Sequence, residues 1–275
     1  MRAAVVGHVE WVEFARVTRV PLPGEIANAS ETFEAAAGGG AVAAVQLARL
    51  AGGCTFYTAL GDDELGRRTI EELTGRGVTV KAAIRARTPT RRAFTFLDDG
   101  GERTITTLGA RLAPLRSDML PWDELAAVDA VYFVAGDPDA LRAARAARAL
   151  VATARVSEVL DGSGVELDAV VGSGADVAER YHPLDPPPRF VVVTHGARGG
   201  DWTGAEGRTG RWEAEPLPGP VADAYGAGDS FAAGLAFALG AGKEIDAALA
   251  LAARCGATCM TGRGPYGHQL TAAEL

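Results

Sequence analysis

The segment Asp223-Ala-Tyr-Gly-Ala-Gly-Asp229 carries the residue types and spacing best suited to chemistry, and Ser230-Phe-Ala-Ala-Gly-Leu-Ala-Phe-Ala-Leu239 follows it directly. Gly226, Ala227 and Gly228 are small and lead into a predicted helix over residues 227–239. The first amides of a helix lack internal partners, and the macrodipole leaves that end partly positive. With no bulky side chain in the way, an anion can approach those N–H groups. Asp229 stands on the same first turn, where its charge would repel a resting anion. It suits a different task, taking the proton from a hydroxyl that attacks a phosphoryl group. The competing reading is purely structural: Asp229 complements the dipole, and Gly228 ends a loop.

The heptad resembles the Asp-Thr-x-Gly-Ala-Gly-Asp motif of the ribokinase/PfkB family of sugar and nucleoside kinases. In that family the Gly-Ala-Gly amides form the anion hole and the last Asp is the base. The resemblance therefore implies Gly226, Ala227 and Gly228 as anion hole and Asp229 as catalytic base. Ala224 stands where the family has Thr, which removes a hydroxyl but no backbone donor. Other blocks match in order: Pro21-Leu-Pro-Gly-Glu25, Gly38-Gly-Gly40 before an alanine-rich helix, Leu60-Gly-Asp-Asp-Glu-Leu-Gly66, and Gly77-Val78. Residues 88–107 resemble the family's lid strand pair, with Asp98-Asp-Gly-Gly-Glu-Arg103 as its turn. Val191-Val-Val-Thr-His-Gly196 with Gly199 resembles the nucleotide-side strand and turn. By this likeness Thr194, Gly196, Gly199 and Asp223 lie on the nucleotide side, and Glu10, Val12, Gly38 and Gly39 on the substrate side. ATP and Mg2+ are the implied cofactors, with room for a monovalent cation, and a homodimer through the lid is open.

Departures from the family carry their own expectations. Val12 occupies the position of an Asp that holds substrate hydroxyls, with Glu10 and Glu13 nearby, and Val42 aligns with an Asn. A hydroxyl desolvated without a partner costs about 1–3 kcal/mol. Free ribose and fructose are thus expected to be poor acceptors and a nucleoside a better one, unless Glu10 or Glu13 compensates. Trp11 and Phe14 are aromatic candidates for the acceptor pocket. The family's Asn-x-x-Glu appears as Ser173-Gly-Ala-Asp176, so Asp176 is expected to serve magnesium through water.

Composition sets limits. A chain of 275 residues suits one α/β domain with a substantial core. The net charge of −8, from 27 basic and 35 acidic residues, argues against nucleic acid or an anionic membrane as partner. No apolar run approaches the roughly 18 residues that span a bilayer, and Met1-Arg-Ala-Ala-Val begins a predicted strand rather than a signal peptide. Cys54, Cys255 and Cys259 lack disulfide or zinc spacing and read as buried thiols in a reducing cytoplasm.

Short apolar runs at residues 3–6, 55–58, 131–134, 156–160, 169–171 and 190–194 alternate with helical stretches at 40–51, 64–75, 139–153, 175–181, 227–239 and 244–261. Such alternation predicts α/β, a mainly parallel central sheet with helices on both faces. Residues 10–20 and 88–107 alternate without an intervening helix and predict an antiparallel ribbon, which would be the small β lid. The expected organisation is one ribokinase-like domain over 1–275, with lid segments at about 10–30 and 85–108 inserted. A lid excludes water that would compete for ATP. Gly262-Arg-Gly264-Pro-Tyr-Gly267 spells a dinucleotide pattern, but Pro265 and the scarcity of following residues leave it no helix. Gly240-Ala-Gly-Lys243 fails as a P-loop because Glu244 replaces Ser or Thr. His8, His182, His195 and His268 have no metal spacing. Two functions remain, an ATP-dependent kinase and a catalytically weak ligand and nucleotide sensor of the same fold. A carboxylate beside the anion site favours the kinase.

Overall fold

The computed structural model describes residues 1–275, the side chain of Glu206 excepted. β1 (Ala3–Val6) is four small apolar residues, all buried. Ala3 and Val5 enter one apolar layer while Ala4 and Val6 enter the other. A strand apolar on both faces belongs at the centre of a sheet covered on both sides. The chain continues through β2 (Glu10–Arg16), β3 (Glu31–Ala37), α1 (Gly39–Ala51), β4 (Cys54–Gly61), α2 (Glu64–Gly75), β5 (Val78–Arg85), β6 (Arg92–Leu97) and β7 (Arg103–Leu108). It then forms β8 (Ala130–Phe133), α3 (Pro138–Ala144), β9 (Ala149–Thr153), α4 (Ser157–Leu160), β10 (Ala169–Ser173) and β11 (Phe190–Thr194). β12 (Gly200–Gly204), β13 (Thr209–Trp212), α5 (Ala227–Gly240) and α6 (Ile245–Met260) complete it.

The main sheet runs β13-β12-β11-β10-β9-β8-β1-β4-β5, parallel from β11 to β5 and antiparallel at β12 and β13. α1, α2, α5 and α6 cover one face; α3, α4 and the Trp122–Ala127 turn cover the other. Fully buried Leu47, Leu235 and Leu249 tie the first layer together, each contributing about 1.5–3 kcal/mol by leaving water. Cys255 of α6 packs beneath Gly234 of α5, where a Cβ would meet its Sγ at 2.7 Å. From β1 the chain first builds outward through β4 and β5, then returns to β8 on the other side. The switch point therefore lies between β1 and β8, where open α/β sheets hold ligands at the carboxyl ends of their strands. No described helix is long and apolar enough to cross a membrane.

A second sheet, β3-β2-β6-β7, forms the lid. β2 pairs antiparallel with β3 and parallel with β6, and β6 pairs antiparallel with β7. Both segments expected as ribbon thus enter one sheet. The strand that completes it, β3, and the outer strands β5, β12 and β13 were not anticipated. Alternation divides β2 by face. Glu10, Val12, Phe14 and Arg16 share the side of Phe33, which stacks on Phe14 at 4.6 Å. Trp11 and Glu13 take the other side, with Glu34 accepting from Trp11 Nε1 at 3.2 Å and Arg68 lying 4.1 Å over the Trp11 ring.

Three expected elements are corrected. Residues 139–153 form not one helix but α3, a turn and β9. Residues 156–160 form no strand; Ala154–Val156 make a 3-10 turn and Ser157–Leu160 a single helical turn. Ala149–Thr153 is buried throughout and hydrogen-bonds β8 and β10, so the sheet overrides alanine's helical preference. Arg145 stabilises the break, donating from Nη2 to Ala147 O at 2.8 Å and from Nη1 to Asp168 Oδ2 at 2.8 Å. Within 175–181 only Val177–Glu179 is helical, as a 3-10 segment capped by Asp176.

Candidate active site

α5 begins at Gly226 in the left-handed region, φ 80°, with no side-chain cap. A Cβ there would meet Val42 Cγ1 at 2.8 Å, so the turn is seated directly on α1. Gly228 is exposed, and nothing lies within 4 Å of where its Cβ would stand. The turn is thus closed beneath and open above. α1 starts beside it: a Cβ on Gly39 would come within 2.7 Å of Asp229 Oδ1. Its N-cap, Gly38, has φ 86° and no side-chain cap, and donates its N–H to Tyr225 Oη at 3.1 Å. Two uncapped helix N-termini therefore converge on Asp229, giving a concentration of free N–H groups suited to anions.

Burial raises the Asp229 pKa to about 6, with Glu179 and Glu10 adding to the rise and Arg103 and Arg155 opposing it. A carboxyl titrating near neutrality is well matched to general base catalysis. Asp223 is fully buried and takes a structural part. It accepts from Tyr225 N at 3.1 Å and Gly264 N at 2.8 Å, with Arg16 Nη2 at 3.6 Å. These contacts hold the loop that leads into α5. The lid grips the same loop: Gly101 O accepts from Ala224 N at 2.9 Å, while Arg16 and Arg103 donate to Ala222 O and Ala224 O at 3.3 and 3.4 Å. Phe14 meets Tyr225 edge-on at 4.9 Å.

On the side expected to face substrate, a Cβ at Gly38 would stand 3.5 Å from both Glu10 Cγ and His8 Cδ2. Glu10 is buried and pairs with Arg91 Nη1 at 2.8 Å. Burial raises its pKa, and Arg91 and Arg111 oppose the rise. Val12 and Val42 have no exposed surface, so neither presents methyl groups to an open pocket. Val12 is covered on the lid's inner face, and Val42 supports Gly226. Trp11 is buried on the lid's other face. Glu13, the other carboxylate expected to stand in for the missing Asp, pairs with Arg92 there.

On the other flank, Thr194 ends β11 and donates its hydroxyl to Gly172 O at 3.4 Å. Gly196 is exposed with φ 58°. Gly199, φ 75°, packs so tightly that a Cβ would sit 1.9 Å from Trp212 O. His195 Nε2 lies 2.9 Å from Asp201 Oδ2, a local pair that fixes this turn. Asp176 caps its own turn through Ala178 N at 2.9 Å and accepts from Arg155 at 2.6 Å. Glu179 accepts from the same Arg155 nitrogen at 2.6 Å, and it is this carboxylate that Asp229 feels. Sequence reading missed Glu179, Arg155, Arg103 and Arg16, because their positions depend on β9 and on the lid's docking. A separate concavity of about 500 Å3, lined by Met1, Gly53, Cys54 and Tyr57, lies at the opposite ends of the strands and away from this chemistry. Among the described residues no three His, Cys, Asp or Glu side chains converge to hold a metal.

The profile of the pfkB family carbohydrate kinases matches residues 2–163 and 136–271. An ATP-dependent ribose-1-phosphate kinase of Halopiger xanaduensis is 25% identical over 276 aligned positions, covering 94% of this chain and 91% of that protein. A ribokinase of Dictyostelium discoideum is 28% identical over 106 residues, 38% of this chain and 33% of that protein, so this match spans only a third of the relative's length. The structure of Arabidopsis thaliana ribokinase complexed with ribose and ATP superposes with a TM-score of 0.76 at 21% identity, covering 99% of this chain and 96% of that one. With its parallel sheet, separate lid and family match over nearly its full length, this chain belongs to the pfkB family of carbohydrate kinases.

Proposed function

We propose that this chain transfers the γ-phosphoryl group of ATP to a hydroxyl of a small sugar-class acceptor, with Asp229 as base. The acceptor oxygen attacks the γ-phosphorus as Asp229 takes its proton; the bond to the ADP oxygen breaks and ADP leaves. The amides of Gly226, Ala227 and Gly228 stabilise charge developing on the phosphoryl oxygens. The observation that carries this reading is Asp229, held between two helix N-termini with its pKa raised to about 6. Thr194, Gly196 and Gly199 flank the nucleotide, and Asp223 shapes the loop between nucleotide and acceptor.

The acceptor class is taken from the ribokinases and the ribose-1-phosphate kinase to which the chain is similar. A preference for nucleosides loses its support once Val12 and Val42 are covered. Asp176 and Glu179 both pair with Arg155, and among the described residues no cluster of three His, Cys, Asp or Glu forms a metal cage. Mg2+ would be held mainly by ATP phosphates and water, as this ion prefers. The three cysteines are free and buried, which suits a cytoplasmic setting. A homodimer through the lid is supported by β7, an edge strand exposed along its length and carrying Ile105 and Leu108.

The test is ADP release from Mg-ATP with a sugar panel, wild type against Asp229→Asn. Acceptor-dependent release that disappears in the variant supports the reading. Binding of ATP and sugars without release would instead make the chain a sensor.

A further inference from the structure

Beside Asp229 and the proposed anion hole stands a buried phenol that the reaction above does not use. Tyr225 is 5% exposed and immediately precedes Gly226. Its backbone is held on both sides: Tyr225 N donates to Asp223 Oδ1 at 3.1 Å, and Tyr225 O accepts from Cys259 Sγ at 3.4 Å. Phe14 of the lid meets its ring edge-on at 4.9 Å. The side chain so fixed brings Oη to 3.1 Å from Gly38 N, at the start of α1. A phenol oxygen both accepts and donates. Gly38 N–H fills the accepting side, and among the described residues no acceptor takes the proton. Tyr57 and Tyr266, by contrast, donate theirs to Pro121 O at 3.1 Å and Ala36 O at 2.5 Å. Burial raises the Tyr225 pKa, and Glu10 and Asp229 add to the rise, so the phenol keeps its proton near neutrality.

The place of this proton gives it a use. Gly38 abuts Glu10 and His8, and Gly39 abuts Asp229. Consecutive Cα atoms are about 3.8 Å apart, so the phenol bonded to Gly38 and the base beside Gly39 lie about one small sugar apart. When ionised, Asp229 and Glu10 can only accept hydrogen bonds. A polyhydroxylated molecule between them also needs donors for its own oxygens, and Tyr225 carries an uncharged one. A buried donor left without a partner is costly, and protein interiors fill nearly all of them.

We infer that Tyr225 is a specificity-determining residue, donating its phenolic proton to a second oxygen of the acceptor while Asp229 takes the proton of the attacking hydroxyl. This rests on the kinase reading and adds to it a contact that reads one hydroxyl. The phenol keeps its proton throughout; the contact is a hydrogen bond and no bond to Tyr225 forms or breaks. A role confined to holding Gly38 would weaken every acceptor alike. A contact to one oxygen weakens only the acceptors that carry it.

The experiment measures kcat/KM with saturating Mg-ATP for ribose, fructose and ribose 1-phosphate, and for those monodeoxy analogues of the best of them that keep the attacked hydroxyl. In the wild type one analogue should fall about tenfold or more below its parent. Tyr225→Phe keeps the ring against Phe14 and removes only the hydroxyl. It should lower the parent roughly ten- to hundredfold and that one analogue less than about threefold, so that the two become alike. Analogues that all stay within about threefold of their parent in the wild type overturn the inference, as does an equal loss on parent and analogues in the variant. Should no acceptor support ADP release, the kinase reading fails by itself, and thermal shift with the same compounds in the presence of Mg-ATP decides this point. Stabilisation of the wild type by a sugar but not by one of its deoxy analogues, with the difference lost in Tyr225→Phe, sustains the inference. A difference that persists in the variant, or no difference at all, overturns it.

Discussion

Asp229→Asn is expected to lose activity and gain stability together. The carboxyl has its pKa raised from 3.8 to about 6, chiefly by burial. The folded state therefore binds this proton more tightly than the unfolded chain. Stability falls as pH rises from 3.8 to about 6, and the loss persists above that range. A shift of this size corresponds to about 3 kcal/mol, and partial solvent access reduces it to about 1–2 kcal/mol. Removing the charge should thus raise the melting temperature at pH 7.5 by about 2–8 °C. At pH 3.5 wild-type Asp229 is itself protonated and the advantage should vanish. Turnover should fall by roughly 10²–10⁴ while ATP affinity stays near wild type, since no positive group is lost. Wild-type kcat should drop about tenfold per pH unit below about 6. Differential scanning fluorimetry at the two pH values, calorimetric ATP titration and coupled ADP assays measure all four quantities. A variant less stable than wild type at pH 7.5 refutes the burial argument. One that keeps full turnover, or loses ATP binding, refutes the base assignment.

Gly228→Val should fold with a near-normal melting temperature, because its side chain enters open space. It should nevertheless lose at least about 10²–10³ in turnover by excluding the phosphate; an active, folded variant removes the anion hole from Gly228. Arg16→Met takes a partner from buried Asp223 and a lid contact from Ala222 O. It should cost about 1–3 kcal/mol of stability and raise acceptor-independent ATP hydrolysis; unchanged thermal unfolding and hydrolysis would contradict the docking role. Ile105→Lys combined with Leu108→Lys should yield a monomer in sedimentation velocity if copies pair along β7, and an unchanged sedimentation coefficient would place any dimer elsewhere.

The uncapped helix terminus proposed as the anion hole was legible in the sequence because its physics is local. Gly226, Ala227 and Gly228 followed by an apolar helix fix free amides at one turn, and Asp229 follows the triplet. α2 is likewise bounded by local signals, Asp63 as N-cap accepting from Gly66 N at 2.8 Å. β9 was not legible: no Gly or Pro separates it from α3, and only its place between β8 and β10 selects strand. That misreading hid Arg155, which follows β9 and pairs with both Asp176 and Glu179.

The sequence by itself determined the fold class and, through local signals, the uncapped helix terminus at Gly226 with the Asp229 carboxylate beside it. Tertiary structure alone decided what surrounds them. His8, Glu10 and Arg91 come together because β2 and β6 pair in parallel register, Val12 with Ala93. Val12 and Val42 are covered rather than exposed because each packs against an element distant in the chain. Backbone chemistry at a turn is set by neighbours in sequence, whereas burial, charge pairing and the pKa of Asp229 depend on residues brought together by folding.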